Sequence, residues 1–192
     1  MLSEKFSHFL DKPLTPLAKA FPINPNIITF LGMIITSSTA FIIPVNLLLG
    51  GLFILAGGLF DLLDGIFARV NGRASKFGAL FDSSLDRIAD GFIFFGITWH
   101  YFITQNDTAF LITLLCMIAS FLISYVRARA EGLGVSCNVG LIERPERLIF
   151  LAVGCMANIL FYILLALTIL SWITVIQRLL HVKKTLKMLP QN

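Results

Sequence analysis

The sequence predicts an all-α integral membrane protein with six transmembrane helices and an N-terminal amphipathic helix at the membrane interface. Its 192 residues are 57% hydrophobic and only 14% charged, and the mean hydropathy is +0.86. A soluble domain is about one-quarter charged, so this chain has too few charged side chains to cover a water-facing surface. Several apolar runs approach the roughly 20 residues that a spanning helix needs.

The apolar runs predict six spans in one domain that covers residues 1–192. Residues 1–21 are predicted as a juxtamembrane helix, because apolar and charged residues alternate there at helical spacing; a leader without regular structure is the alternative. Residues 22–180 form the predicted bundle, and residues 181–192 a cytosolic basic tail. Asn158 is the residue expected to divide the last apolar run. The predicted spans are 27–44, 47–65, 77–102, 108–127, 141–157 and 159–176.

Basic residues test this map, because cytosolic loops of membrane proteins carry an excess of lysine and arginine. With six spans, all fifteen fall at one side of the membrane, and the connections around 44–46, 101–107 and 158 carry none. The sequence therefore predicts that both termini lie in the cytosol, in a cell membrane. The fifteen are Lys5, Lys12, Lys19, Arg69, Arg73, Lys76, Arg87, Arg127, Arg129, Arg144, Arg147, Arg178, Lys183, Lys184 and Lys187.

Five aspartates lie at the cytosolic ends of the second and third spans. Asp61 and Asp64 are three residues apart and share a helix face, as do Asp82 and Asp86, which are four apart. Asp90 lies one further turn along the third span. Because a short loop joins these two spans, they should run antiparallel, and the first four carboxylates can converge on one volume.

Converging carboxylates repel each other unless a positive charge lies among them. Mg²⁺ or Mn²⁺ suits a site made of carboxylates and substrate phosphates. The alternative is pairing with arginine, but Arg69 and Arg87 are too few to neutralise them all. Asp90 is interpreted separately, as bonded to its own helix or to Arg87. Gly65 and Gly78 flank the aspartates and let a ligand approach the backbone closely.

Five arginines lie at the cytosolic ends of three other spans. Their planar guanidinium groups suit phosphate, because each can donate two parallel hydrogen bonds. They predict a cationic pocket for an acceptor that is itself a phosphate ester. The alternative is a basic belt that contacts anionic lipid headgroups. The five are Arg127, Arg129, Arg144, Arg147 and Arg178.

Residues 61–86 read DLLDGIFARVNGRASKFGALFDSSLD, with the pattern D-x2-D-G-x2-A-R-x8-G-x3-D-x3-D. This pattern resembles the signature of the CDP-alcohol phosphatidyltransferase family. The resemblance implies a six-span homodimer and a two-metal site with Mg²⁺, or alternatively Mn²⁺. It implies the metal ligands Asp61, Asp64, Asp82 and Asp86, with Asp86 also the catalytic general base. The resemblance also implies contacts to the CDP-lipid, and Gly78 joins them as a glycine that permits close approach. The other contact residues are Asn26, Ile27, Ile28, Thr29, Gly65, Arg69 and Ser75.

The second half of the chain resembles one branch of that family. The stretches SYVRARAE at 124–131 and IERPERL at 142–148, with Gln177 and Arg178, are similar to phosphatidylinositol phosphate synthases. The expected reaction transfers a phosphatidyl group from CDP-diacylglycerol, or from CDP-archaeol, to inositol phosphate and releases CMP. Glycerol 3-phosphate is the alternative acceptor, and a metal-ion transporter is the alternative from another class. The other expected partners are membrane lipids, and no nucleic acid is expected.

Overall fold

The part of the chain that the computed structural model describes, residues 15–16, 18–20 and 23–188, is a helical bundle. It contains six α-helices of 13 to 29 residues and no strand among those residues, so the predicted all-α class is confirmed. The helices are α1 (Pro25–Ile42), α2 (Leu47–Val70), α3 (Lys76–Ile103), α4 (Asp107–Glu131), α5 (Arg144–Met156) and α6 (Leu160–Met188).

Four of these helices, α1, α2, α4 and α6, are long and apolar enough to cross a membrane. Helix α3 has 28 residues, but its first fifteen contain Asp82, Asp86, Arg87 and Asp90. Helix α5 has 13 residues, about 20 Å of helix against a hydrocarbon core of about 30 Å. Several apolar helices thus make the chain a membrane protein.

The fifth predicted span, 141–157, begins too early, because the residues before α5 bond to α6 instead of forming a helix. The Oγ1 atom of Thr174 accepts a hydrogen bond from the backbone N–H of Leu141 at 3.1 Å. Helix α5 starts only after this contact, where Glu143 and Glu146 form a capping box.

The sixth helix extends well beyond its predicted end at residue 176. Leu179, Val182 and Leu186 continue the helical spacing of apolar side chains there, so residues 181–188 of the predicted basic tail continue α6 as helix. The predicted break before α6 is present. Asn158 adopts a left-handed backbone with φ of 57°, which asparagine tolerates better than most residues.

Little of the predicted juxtamembrane helix can be compared with the structure. Its described residues, 15–16 and 18–20, are helical. Ala18 is buried against Ile28 and Phe67, so this segment packs beside the ends of α1 and α2. Residues 1–14, 17 and 21 of that prediction, and residues 189–192 of the tail, lie outside the described residues.

Helix packing determines which ends of the helices meet. Helix α1 packs on α2 and α3, α2 on α5, α4 on α3 and α6, and α5 on α6. The backbones of α1 and α3 approach closely at Gly96, where a Cβ atom would lie 2.7 Å from the carbonyl oxygen of Thr39. Small residues allow such contacts between membrane helices. The aspartate-bearing ends of α2 and α3 are thereby held beside the start of α5.

Candidate active site

A tight turn sets the aspartates of α2 opposite those of α3. Gly72 has a φ of +62°, and the backbone N–H of Arg73 donates to the carbonyl oxygen of Ala68 at 2.9 Å. This is the Schellman arrangement that commonly ends a helix at glycine. Ser75 then caps α3, because its Oγ accepts a hydrogen bond from the N–H of Gly78 at 2.9 Å.

Three of the four predicted metal ligands come together in the structure. Carboxylate oxygens of Asp61, Asp64 and Asp82 all lie within 4.8 Å of one another. Asp86 lies outside this group, because its Oδ1 is 2.9 Å from Nη1 of Arg144. The same Nη1 is 3.0 Å from Oδ2 of Asp61, so one guanidinium joins Asp86 to the edge of the three-carboxylate group.

The donor set fits a divalent metal ion. Oδ2 of Asp64 and Oδ1 of Asp82 are buried and accept no hydrogen bond from any described residue. Buried polar atoms without a partner cost free energy, and converging carboxylates repel one another. A hard cation that takes oxygen ligands removes both costs.

Asp90 is buried and forms ion pairs with two arginines of α5. Its Oδ1 is 3.1 Å from Nε of Arg144, and its Oδ2 is 2.8 Å from Nη2 of Arg147. The prediction that Asp90 bonds to its own helix or to Arg87 is therefore wrong. Arg87 turns towards α4, where Nη2 donates to Oγ of Ser124 at 3.0 Å.

A cavity of about 210 Å³ lies between the start of α1 and the α2–α3 turn. Six of the eight residues predicted to contact the CDP-lipid line it, and two do not. Ile27 is 53% exposed on the outside of the bundle, and Ile28 packs into an apolar cluster with Ala18 and Phe67. The six lining residues are Asn26, Thr29, Gly65, Arg69, Ser75 and Gly78.

A larger cavity of about 1060 Å³ opens on the other side of the aspartates. Four of the five predicted phosphate-binding arginines line it: Arg127, Arg144, Arg147 and Arg178. Arg129 does not, and lines a separate cavity between α4 and α6. Arg129 does not reach the larger cavity because side chains two residues apart on a helix point in directions about 200° apart.

The two active-site cavities meet at the carboxylates. Asp82 and Ala79 line both of them, Asp64 lines only the smaller one and Asp86 only the larger one. Two different substrates can therefore approach the same acidic group from opposite sides.

The match to a known family covers most of the chain. Residues 22–181 match the CDP-alcohol phosphatidyltransferase family. The chain belongs to this family. It is therefore an enzyme, as predicted, and the alternative of a metal-ion transporter is set aside. With its acidic cluster, this CDP-alcohol phosphatidyltransferase depends on a divalent metal.

Named relatives agree with the family. An archaetidylinositol phosphate synthase of Pyrococcus horikoshii is 37% identical over 93% of this phosphatidyltransferase and 95% of its own length. The crystal structure of Mycobacterium tuberculosis phosphatidylinositol phosphate synthase with CDP-DAG bound has a TM-score of 0.82 at 35% identity, covering 88% of this chain and 92% of that one. The same mycobacterial enzyme in complex with manganese and citrate also has a TM-score of 0.82, at 34% identity, with 88% of each chain covered.

Two residues that the sequence patterns do not single out also line the cavities of this phosphatidyltransferase. Arg73 lines the smaller cavity and Ser124 the larger one. The available signal for Arg73 was its position directly after Gly72 in the turn between the two aspartate pairs. Ser124 begins the SYVRARAE stretch, but a serine on a membrane helix carries little signal by itself.

Arg178 combines a place in the larger cavity with a structural role. Its Nε donates to the carbonyl oxygen of Val139 at 2.9 Å, and its Nη1 donates to the carbonyl oxygen of Ile123 at 2.7 Å. This guanidinium therefore ties α6 both to α4 and to the connection that leads into α5.

Proposed function

We propose that this enzyme transfers a phosphatidyl group from CDP-diacylglycerol, or the corresponding group from CDP-archaeol, to inositol phosphate. The products would be CMP and phosphatidylinositol phosphate or its archaeal ether-lipid counterpart. The observation that carries the proposal is the meeting of the two cavities at the carboxylates, one lined by signature residues and the other by five arginines. The names of the relatives support inositol phosphate as the acceptor.

The carboxylates would hold the metal between the two substrates. Asp61, Asp64, Asp82 and Asp86 are proposed as ligands of two Mg²⁺ ions, with Mn²⁺ as the alternative. When bound, the metal supplies positive charge that stabilises the pyrophosphate oxygens and the departing CMP. The buried oxygens of Asp64 and Asp82 that lack a partner among the described residues support this assignment.

The smaller cavity is proposed to bind the CDP part of the lipid. Asn26 and Thr29 line its α1 side, and Arg69 and Ser75 its α2–α3 side. A Cβ atom at Gly78 would lie 3.1 Å from Oγ of Ser75, so a larger residue there would crowd the cavity wall. Arg69 adds a positive charge beside the pyrophosphate.

Asp86 is proposed as the general base. It takes the proton of the acceptor hydroxyl, whose oxygen forms the new bond to phosphorus as the bond from phosphorus to the CMP oxygen breaks. In the structure, the carboxylate is held by Arg144 at 2.9 Å. An acceptor phosphate that draws Arg144 away would free Asp86 for the proton, so acceptor binding and activation of the base are coupled.

The arginines of the larger cavity are proposed to bind the acceptor phosphate. Nε and Nη1 of Arg147 are buried and have no hydrogen-bond partner among the described residues, so both can donate to a phosphate. Arg127 is half-exposed and pairs only weakly with Glu131, at 3.0 Å on the helix surface. Glycerol 3-phosphate carries the same charge and is the second candidate.

The proposed membrane arrangement has six spans, with both termini and the active site in the cytosol. Charge placement supports it, because every lysine and arginine of the described residues falls on the side of Asp61, Asp64, Asp82 and Asp86. Helix α5 would reach across together with the connection before it, whose Leu141 and Ile142 amides bond to Thr174 of α6. The family resemblance supports a homodimer, which a mass measurement in detergent would check.

A release assay tests the reaction. Purified enzyme with CDP-diacylglycerol and Mg²⁺ would be offered inositol 1-phosphate, free inositol, glycerol 3-phosphate or serine, and CMP release would be measured. We expect inositol 1-phosphate to be used best and EDTA to abolish release until Mg²⁺ or Mn²⁺ is added. Equal use of free inositol or serine would refute a phosphate-selective pocket.

A matched pair of substitutions tests the assignment of the larger cavity. Arg127→Gln should raise the KM for inositol phosphate about tenfold, since it removes one charged hydrogen bond, and should leave the KM for CDP-diacylglycerol nearly unchanged. Arg129→Gln on the same helix should change neither. Equal effects of the two substitutions would favour a general basic belt.

A further inference from the structure

A third cavity lies beside the larger active-site cavity, between the ends of α4 and α6. Its volume is about 520 Å³. Leu133, Val182 and Leu186 form part of an apolar floor, and its cations are Arg129, Lys183 and Lys187. It shares Tyr125 with the larger active-site cavity and no lining residue with the smaller one.

All the charged side chains that line this cavity are positive. No carboxylate of the described chain lines it, and Arg129, Lys183 and Lys187 form no ion pair with any described residue. Glu131 lies on the adjacent turn of α4, but it pairs with Arg127 on the side of the larger active-site cavity. An occupant must therefore bring both negative charge and apolar surface.

The length of α6 places the cavity in the headgroup layer of a membrane. Its 29 residues span about 43 Å, close to the roughly 40–45 Å of a bilayer with its headgroups. The last turns of α6 then lie among lipid phosphates, with Lys183 and Lys187 at that depth. Tyr125 is 64% exposed and lies at the end of the cavity that faces the bilayer interior.

We propose that this cavity binds a membrane phospholipid with a net negative headgroup. Arg129, Lys183 and Lys187 would bond the phosphate, and the glycerol and upper acyl chains would lie against Tyr125 and Leu179. A second copy of the chain fits less well, because a two-fold contact through this face would set the three cations of one copy against those of the other.

Lipid retention measured by native mass spectrometry in a non-ionic detergent tests the site. Phosphatidylglycerol and phosphatidylcholine with the same acyl chains would be titrated separately into purified full-length enzyme. We expect preferential retention of phosphatidylglycerol. The double variant Lys183→Gln/Lys187→Gln should lower its affinity about 30-fold, since each cation near the phosphate contributes about 1 kcal/mol.

Lys184 provides the control, because it lies between the two lysines in sequence but does not line the cavity. Lys184→Gln should bind phosphatidylglycerol like the unmodified enzyme. Equal retention of the two lipids, or equal losses in the two variants, would overturn the proposal. So would a change in oligomer mass on Lys183→Gln/Lys187→Gln substitution with unchanged lipid retention, which would assign the face to a second copy. No acceptor is present, so this test is independent of the proposed reaction.

Discussion

Asp90 is 5% exposed, and each of its carboxylate oxygens faces an arginine of α5. Asp90→Asn keeps the shape but removes the charge that balances Arg147. We expect a loss of about 3–5 kcal/mol in the free energy of unfolding, as is typical when one partner of a buried ion pair is removed. Unfolding midpoints in detergent would measure it.

The exposed residue Asp107, at the start of α4, is the control for this change. Asp107→Asn should alter the midpoint little, because exposed charges contribute little to stability. An equally small effect of Asp90→Asn would mean that the arginines are held by other contacts.

Asp86→Asn separates binding from chemistry. Asparagine keeps the shape of the side chain but cannot take up the acceptor proton. We expect kcat to fall roughly 10²–10⁴-fold, while binding of CDP-diacylglycerol, measured by equilibrium dialysis, is better retained. A near-normal turnover rate for this variant would show that another residue acts as the general base.

Some side-chain positions followed from spacing and others did not. The convergence of Asp61, Asp64 and Asp82 was predictable, because spacing on two antiparallel helices determines it. The partners of Asp90 were not, because they come from a helix more than fifty residues further along the chain. The misplacement of Arg129 was avoidable, since helical geometry separates it from Arg127 by more than half a turn.

The connection between α4 and α5 has no regular secondary structure, yet it positions the two arginines that follow it. Oγ1 of Thr174 accepts hydrogen bonds from the backbone N–H groups of Leu141 and Ile142 at 3.1 and 3.3 Å. Thr174→Val removes this acceptor and leaves two amides unpaired. We expect faster hydrogen exchange at residues 141 and 142 and a higher KM for the acceptor.

Thr168, six residues earlier on α6, is the control position for Thr174→Val. It is buried and donates to the carbonyl oxygen of Leu164 at 2.7 Å, but it does not contact the connection. Thr168→Val should therefore leave exchange at residues 141 and 142 unchanged. Equal exchange in the two variants would show that other contacts, such as those of Arg178 and His181, hold the connection.

The helices themselves followed from the apolar runs, with most ends within a few residues. The differences at the start of α5 and at the end of α6 have different causes. The first depends on long-range hydrogen bonds to Thr174, which no local pattern reveals. The second was visible in Leu179, Val182 and Leu186, but the lysines between them resembled a solvated tail.

The orientation of the whole molecule can be tested by labelling single cysteines. The three natural cysteines are buried and should react slowly. Val45 is 87% exposed between α1 and α2, on the side without basic residues, and Lys184 is exposed on the other side. A membrane-impermeant maleimide should label Val45→Cys in intact cells and Lys184→Cys only after permeabilisation. The opposite result would invert the proposed topology.

Charge sorting is the argument of the sequence for six spans, because a wrong number of spans would scatter the fifteen basic residues over both sides. The sequence could not reveal that α5 is too short to cross alone. Nothing in its composition distinguishes thirteen helical residues from seventeen, and the difference comes from the packing of the preceding connection against α6.

The ion pairs between Asp90 and α5 also have a consequence for biosynthesis. Asp90 precedes its partners by 54 and 57 residues, so the ribosome completes α3 before either arginine exists. At about 5–20 residues per second, the wait is roughly 3 to 11 seconds. During that interval the charged half of α3 has to remain in contact with water or the insertion machinery. The bundle can therefore close around its acidic centre only after Arg147 has been synthesised.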